Sequence, residues 1–101
     1  MTVISKLSED SKQLTISIEG RFDFSLHQKF RDTYTSITDK SLAYILDLNK
    51  TEYMDSSALG MILLLKDHVE LYTGNLIISK PNDTVRKILE IAQFQRLMTI
   101  E

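Results

Sequence analysis

Residues 42 to 79 constrain the fold more than any other part of the chain. LAYILDL (42–48) is nearly continuous apolar sequence with β-compatible residues, the pattern of a strand covered on both faces, in which Asp47 is an oddity. SSALGMILLLKDHVELY (56–72) then takes a helical spacing, apolar almost all round in its first half and amphipathic in its second. TGN ends that helix, with Gly74 able to adopt the left-handed conformation that a C-terminal cap prefers, and LIIS (76–79) is a further buried strand. Strand, helix and strand in so short a stretch predict an α/β chain, because such a helix buries its apolar side against the sheet.

The flanking segments extend this pattern. Val3 to Leu7 read as a short strand, SEDSK as a turn, and QLTISIEG as a second strand in which Leu14, Ile16 and Ile18 alternate with Thr15, Ser17 and Glu19. Ser25 can cap a helix carrying Leu26, Phe30, Tyr34 and Ile37 on one face, and TDKS breaks it. KPND leads into a helix with Val85, Ile88, Leu89 and Ala92 on one side, and RLMTIE reads as a last edge strand. The predicted order is β-β-α-β-α-β-α-β, a mixed sheet packed against helices. At 101 residues, 1–101 form one domain, without repeat or linker.

Composition removes several classes of function. Twelve basic against fourteen acidic residues leave a net charge of −2, so nothing favours direct nucleic-acid binding by phosphate neutralisation. Without cysteine there are no disulfides, thiolate metal sites or thiol catalysis, and the chain fits a reducing compartment, the cytoplasm by default. Two separated histidines make no metal cluster, and three glycines are too few for a phosphate-cradling loop, so no metal and no cofactor are expected. The N-terminus lacks the continuous apolar region of a secretory signal, and the run Met61–Leu65 is far below the ~20 apolar residues of a membrane span. No membrane insertion is expected, and the modest charge and absence of a long apolar stripe favour a monomer.

The chemistry-bearing stretch is EYMDSSALG, in which Asp55, Ser56 and Ser57 stand where the apolar helix begins. A serine hydrolase needs a base near its serine and usually a Gly-x-Ser-x-Gly elbow. DSSALG lacks the first glycine, and His68 lies roughly 18 Å along the same helix at ~1.5 Å rise per residue. His27, beside lysine and glutamine, reads as solvated surface, so no catalytic residues are assigned. Two accounts remain open from the residues alone. Asp55 caps the helix while the serines fill its first turn, or a first-turn serine is a phosphoacceptor, served by free amides and the positive end of the helix dipole.

ILDLNKTEYMDSSALGMIL closely resembles the phosphorylatable segment of anti-sigma factor antagonists, small proteins of the STAS domain class, whose pattern ends in Asp-Ser-Ser/Thr-Gly-Leu-Gly. EGRFDF resembles the family's Gly-x-Leu/Phe-Asp segment, and GNLIISKPNDTVRKILEIAQF its last strand-helix unit. Ala58 departs from the pattern's glycine, and the extra helix that many relatives carry has no counterpart here. The resemblance implies a single STAS domain that is not an enzyme. It implies an antagonist that, when unphosphorylated at Ser56, sequesters an anti-sigma factor acting as a serine kinase and so releases a sigma factor or other regulator. A serine phosphatase would restore it. Asp55 would position the Ser56 hydroxyl and cap the helix, and Asp23, Asp55, Ser56 and Ser57 would face the partner. The other reading of the same fold is a STAS accessory subunit of a membrane transporter or lipid-trafficking complex, which needs no acceptor serine.

Overall fold

Leu14, Ile16 and Ile18 are buried while Thr15, Ser17 and Glu19 are half-exposed, so the alternation in sequence is an alternation of faces in strand β2 (Gln13–Phe22). The computed structural model describes residues 2–101; Met1 of the expected domain lies outside them. The remaining strands are β1 (Thr2–Leu7), β3 (Ala43–Asp47), β4 (Thr51–Met54), β5 (Asn75–Ser79) and β6 (Thr99–Ile100). The helices are α1 (His27–Asp32), α2 (Ser56–Leu71) and α3 (Asp83–Ile91), with 3-10 turns at Phe24–Leu26 and Phe94–Arg96. The fold is the expected mixed α/β sheet, and RLMTIE does end in an edge strand.

The sheet runs β1-β2-β3-β5-β6, antiparallel between β1 and β2 and parallel thereafter. One row across it, Leu14, Tyr44 and Leu76, and the next, Ile16, Leu46 and Ile78, are buried under the helices. The opposite rows, Thr15–Ile45–Ile77 and Ser17–Asp47–Ser79, are half-exposed. LAYILDL is therefore covered fully on one face only, which corrects the expectation of two. Asp47 ceases to be an oddity, since it stands on the open face and accepts the amide of Asn49 at 2.9 Å. Alpha2 is anchored by Ala58, Met61, Ile62, Leu65 and Val69. Each large aliphatic side chain so buried contributes about 1.5–3 kcal/mol.

Three local departures have physical causes. The 3-10 turn Phe24–Leu26 is capped by Asp23, not Ser25, and α1 stops at Asp32. Beyond it the chain turns through Thr33 and Tyr34, with the Thr33 hydroxyl donating to the Phe30 carbonyl at 2.6 Å. His68 of α2 fastens this irregular segment, its Nε2 lying 2.7 Å from the Ile37 carbonyl oxygen with the Tyr34 and Tyr72 rings about it. At the end of α2 the positive φ, 54°, falls on Thr73, not Gly74.

The third departure positions the site. Residues 51–54, absent from the predicted strand order, form β4, which pairs parallel with the far end of β2: Gly20 with Thr51, Arg21 with Tyr53, Phe22 with Met54. The register shifts between Gly20 and Arg21, where Gly20 holds φ 85°, a conformation that costs glycine little and other residues much. Strand β2 thus leaves β3 and takes up β4. The Thr51 hydroxyl, buried, donates to the Ile18 carbonyl at 2.7 Å and secures the junction.

Candidate functional site

Because Phe22 and Met54 are paired, β2 and β4 end side by side, each with a fully buried last residue. The Asp55 amide carries the ladder one step further by donating to the Phe22 carbonyl at 3.4 Å. Each strand then passes directly into a helical turn through an aspartate in extended conformation, Asp23 with φ −138° and Asp55 with φ −104°. Such residues cap helices because a short carboxylate reaches the free amides of the first turn.

The two turns repeat one arrangement, Asp-x-Ser. Asp23 Oδ1 accepts the Ser25 amide at 2.9 Å and the Ser25 hydroxyl at 2.5 Å, while Oδ2 meets Arg21 Nε at 3.2 Å. Asp55 Oδ1 accepts the Ala58 amide at 3.1 Å and the Ser57 hydroxyl at 2.5 Å. In both, the aspartate holds the hydroxyl two residues on, and the residue between, Phe24 in one turn and Ser56 in the other, is exposed.

These bonds set the charge of the site. The Ser25 hydroxyl, then the Ser25 amide and Arg21, hold the Asp23 carboxyl below the usual carboxylate range. The Ser57 hydroxyl, with the amides of Ala58 and Ser57, does the same for Asp55, against partial burial and the nearby Asp23 charge, which raise it. The influence of Asp23 on Asp55 is the electrostatic mark of their proximity. Both are ionised at neutral pH.

The structure brings together all four residues singled out in the sequence: Asp23, Asp55, Ser56 and Ser57. It redistributes their roles. The hydroxyl that Asp55 holds is that of Ser57, not Ser56, and the Ser56 hydroxyl makes no hydrogen bond among the described residues. Of the apolar residues that open α2, Met61 and Ile62 are core and Leu59 is half-buried, whereas Leu63 and its neighbour Leu64 are exposed.

Sequence reasoning passed over three residues here. Phe24 is 65% exposed and its ring stacks on His27 with centroids 4.9 Å apart. Arg21 lies over the Tyr53 ring, 4.8 Å from its centroid, while also paired with Asp23. The only available signal was an aromatic residue between two polar ones, in RFDFS. A groove of about 660 Å³ lies elsewhere, between α2, α3 and β6, and none of these residues lines it. Among the described residues no group of three or more potential ligands can hold a metal ion, and no helix is long and apolar enough to cross a membrane.

Comparison with known proteins gives a consistent result. The STAS domain model matches residues 5–101. A STAS-domain containing protein of Pseudomonas aeruginosa is 43% identical over 100 residues, spanning 99% of each chain. Among solved structures, a proposed anti-sigma factor antagonist from Thermotoga maritima superposes with a TM-score of 0.81 at 18% identity, over 97% of this chain and 84% of that one. The anti-sigma factor antagonist SpoIIAA in its unphosphorylated form gives 0.76 at 20% identity, over 99% and 87%. A sulfate transporter family protein from Wolinella succinogenes also gives 0.76, at 15% identity, over 91% and 80%. At these identities the solved structures speak for the fold.

Proposed function

This chain belongs to the STAS domain family, and from that premise we propose that it is a phosphorylation-switched anti-sigma factor antagonist with Ser56 as its acceptor. Unphosphorylated, it sequesters an anti-sigma factor that is also a serine kinase, and a sigma factor or comparable regulator is released. The kinase transfers a phosphoryl group to Ser56, binding is lost, and a serine phosphatase restores the first state. The chain acts without enzymatic activity of its own, as a monomer in the cytoplasm.

The observation that carries the proposal is the division of labour in the first turn of α2. Asp55 and Ser57 satisfy each other and the Ala58 amide, so the cap is complete without Ser56, whose hydroxyl is exposed and uncommitted. A phosphate there adds about −1.5 to −2 charges beside two ionised carboxylates. A partner that binds the unphosphorylated surface through apolar groups then meets the cost of desolvating the added charge. A loss of about 3 kcal/mol weakens binding more than a hundredfold, and no refolding is needed.

The test is incubation with the candidate kinase and ATP, followed by intact mass. One phosphate on the wild type and none on Ser56→Ala is expected; phosphate on both overturns the site. A second reading, an accessory subunit of a transporter or lipid-trafficking complex, takes its support from the shared fold of the Wolinella protein. It requires no acceptor. Equal partner binding by Ser56→Ala and Ser56→Asp would favour it.

A further inference from the structure

Phe24 is the residue at this end of the molecule that the switch does not use. A single exposed apolar side chain is ordinary in itself, so its placement carries the argument. Beta2 and β4 leave the sheet about one strand spacing, roughly 5 Å, apart. Phe24 and Ser56 are each the second residue beyond the paired Phe22 and Met54. They occupy the same position in the twin Asp-x-Ser turns, at the ends of strands that finish side by side.

The ring is also held in place. Its turn is fixed by the two bonds from Ser25 to Asp23, and one ring face stacks on His27 at an interplanar angle of 17°. With that stack in place the side chain is still 65% exposed. An aromatic side chain ordered before binding loses little entropy on docking, which is the character of an interface anchor.

We infer that Phe24 is the apolar anchor by which this chain docks on the ATP-dependent serine kinase that modifies Ser56. The inference rests on the reading of Ser56 as acceptor. In the transfer the Ser56 Oγ–phosphorus bond forms as the bond to the β-phosphate oxygen breaks, ADP leaves, and the hydroxyl proton passes to a base of the kinase. A cleft that brings a γ-phosphate to Ser56 belongs to an interface of about 800 Å² on each side. A surface of that size centred on Ser56 covers Phe24. The pocket that receives the ring is apolar, to match the exposed hydrocarbon of Phe24.

The experiment measures phosphorylation kinetics by intact mass, with a purified serine kinase that modifies the wild type. Phe24→Ser is compared with Phe24→Leu and with Ile91→Ser, a 74% exposed position on α3. Phe24→Ser is expected to raise KM for the chain about tenfold or more, with kcat within about twofold. Phe24→Leu should recover most of the loss and Ile91→Ser should match the wild type. Circular dichroism melting of each variant confirms that the fold is intact. A wild-type KM for Phe24→Ser, or an equal loss in Ile91→Ser, overturns the inference while leaving the acceptor in place. A wild type that no candidate kinase modifies at Ser56 removes the underlying reading, and the anchor with it.

Discussion

Asp55 Oδ1 serves two donors at once, the Ala58 amide and the Ser57 hydroxyl, so replacing this one side chain removes both a helix cap and the restraint on Ser57. Loss of an aspartate cap costs about 1 kcal/mol, and Asp55→Ala should lower stability by that amount in urea unfolding. The same contacts give a sign for pH. Asp23 and Asp55 titrate below the ordinary carboxylate value in the folded chain. The stability they contribute is therefore complete above the unfolded value of about 3.9 and is lost as pH falls through their folded values. Asp10, held down first by the Ser8 hydroxyl, adds to this loss. The thermal midpoint should decline below about pH 4. Asp55→Asn, which keeps a capping oxygen without the charge, should decline less steeply than the wild type. An equal slope in the two would remove Asp55 from the account.

At the scale of elements, the C-terminus of α2 shows two adjacent residues dividing one job. The Thr73 amide donates to the Glu70 carbonyl at 3.0 Å and the Gly74 amide to the Val69 carbonyl at 2.8 Å, the paired bonds that close a helix when the residue after the cap is left-handed. That residue is Thr73, a β-branched side chain at φ 54°, a strained choice. Gly74 is required for space, since a Cβ there would stand 2.6 Å from the Leu42 carbonyl oxygen. Thr73→Gly should stabilise the chain by roughly 0.5–1 kcal/mol, and Gly74→Ala should destabilise it by about 1–3 kcal/mol. Thermal unfolding of the pair checks both, and the opposite order would refute the assignment. What the sequence disclosed of this fold follows the same division. The extents of α2, β5 and α3 rest on local periodicity and caps, and they were legible. Beta4 was not, because TEYM has no apolar period and becomes a strand only by pairing with the distant end of β2. Asp55 as a cap could be read from its place before an apolar helix. Which of two adjacent serines it holds depends on side-chain geometry that no spacing encodes. The exposure of Phe24 arises from a turn shape, not a pattern.

For the molecule as a whole, the proposed switch makes a demand on stability as well as on binding. Ser56 is exposed and outside the cap, and the residues that fasten this end to the core, Phe22, Met54 and Ala58, are fully buried beneath it. A negative charge in the first turn of α2 gains about 0.3–1 kcal/mol from the helix dipole, while Asp55 and Asp23 nearby oppose it. The two effects nearly cancel, and a substitution at such a surface position stays within about ±0.5 kcal/mol. In a domain of this size 1 kcal/mol corresponds to about 4–8 °C. Ser56→Asp should therefore melt within about 4 °C of the wild type, with a superimposable circular dichroism spectrum. Its binding to the proposed anti-sigma partner should fall steeply. Asp55→Ala is the informative companion, since it loses stability without gaining charge. If weakened binding followed melting temperature across the two variants, the switch would act through the fold. Loss of binding in Ser56→Asp at unchanged stability places it in the surface charge beside Asp55.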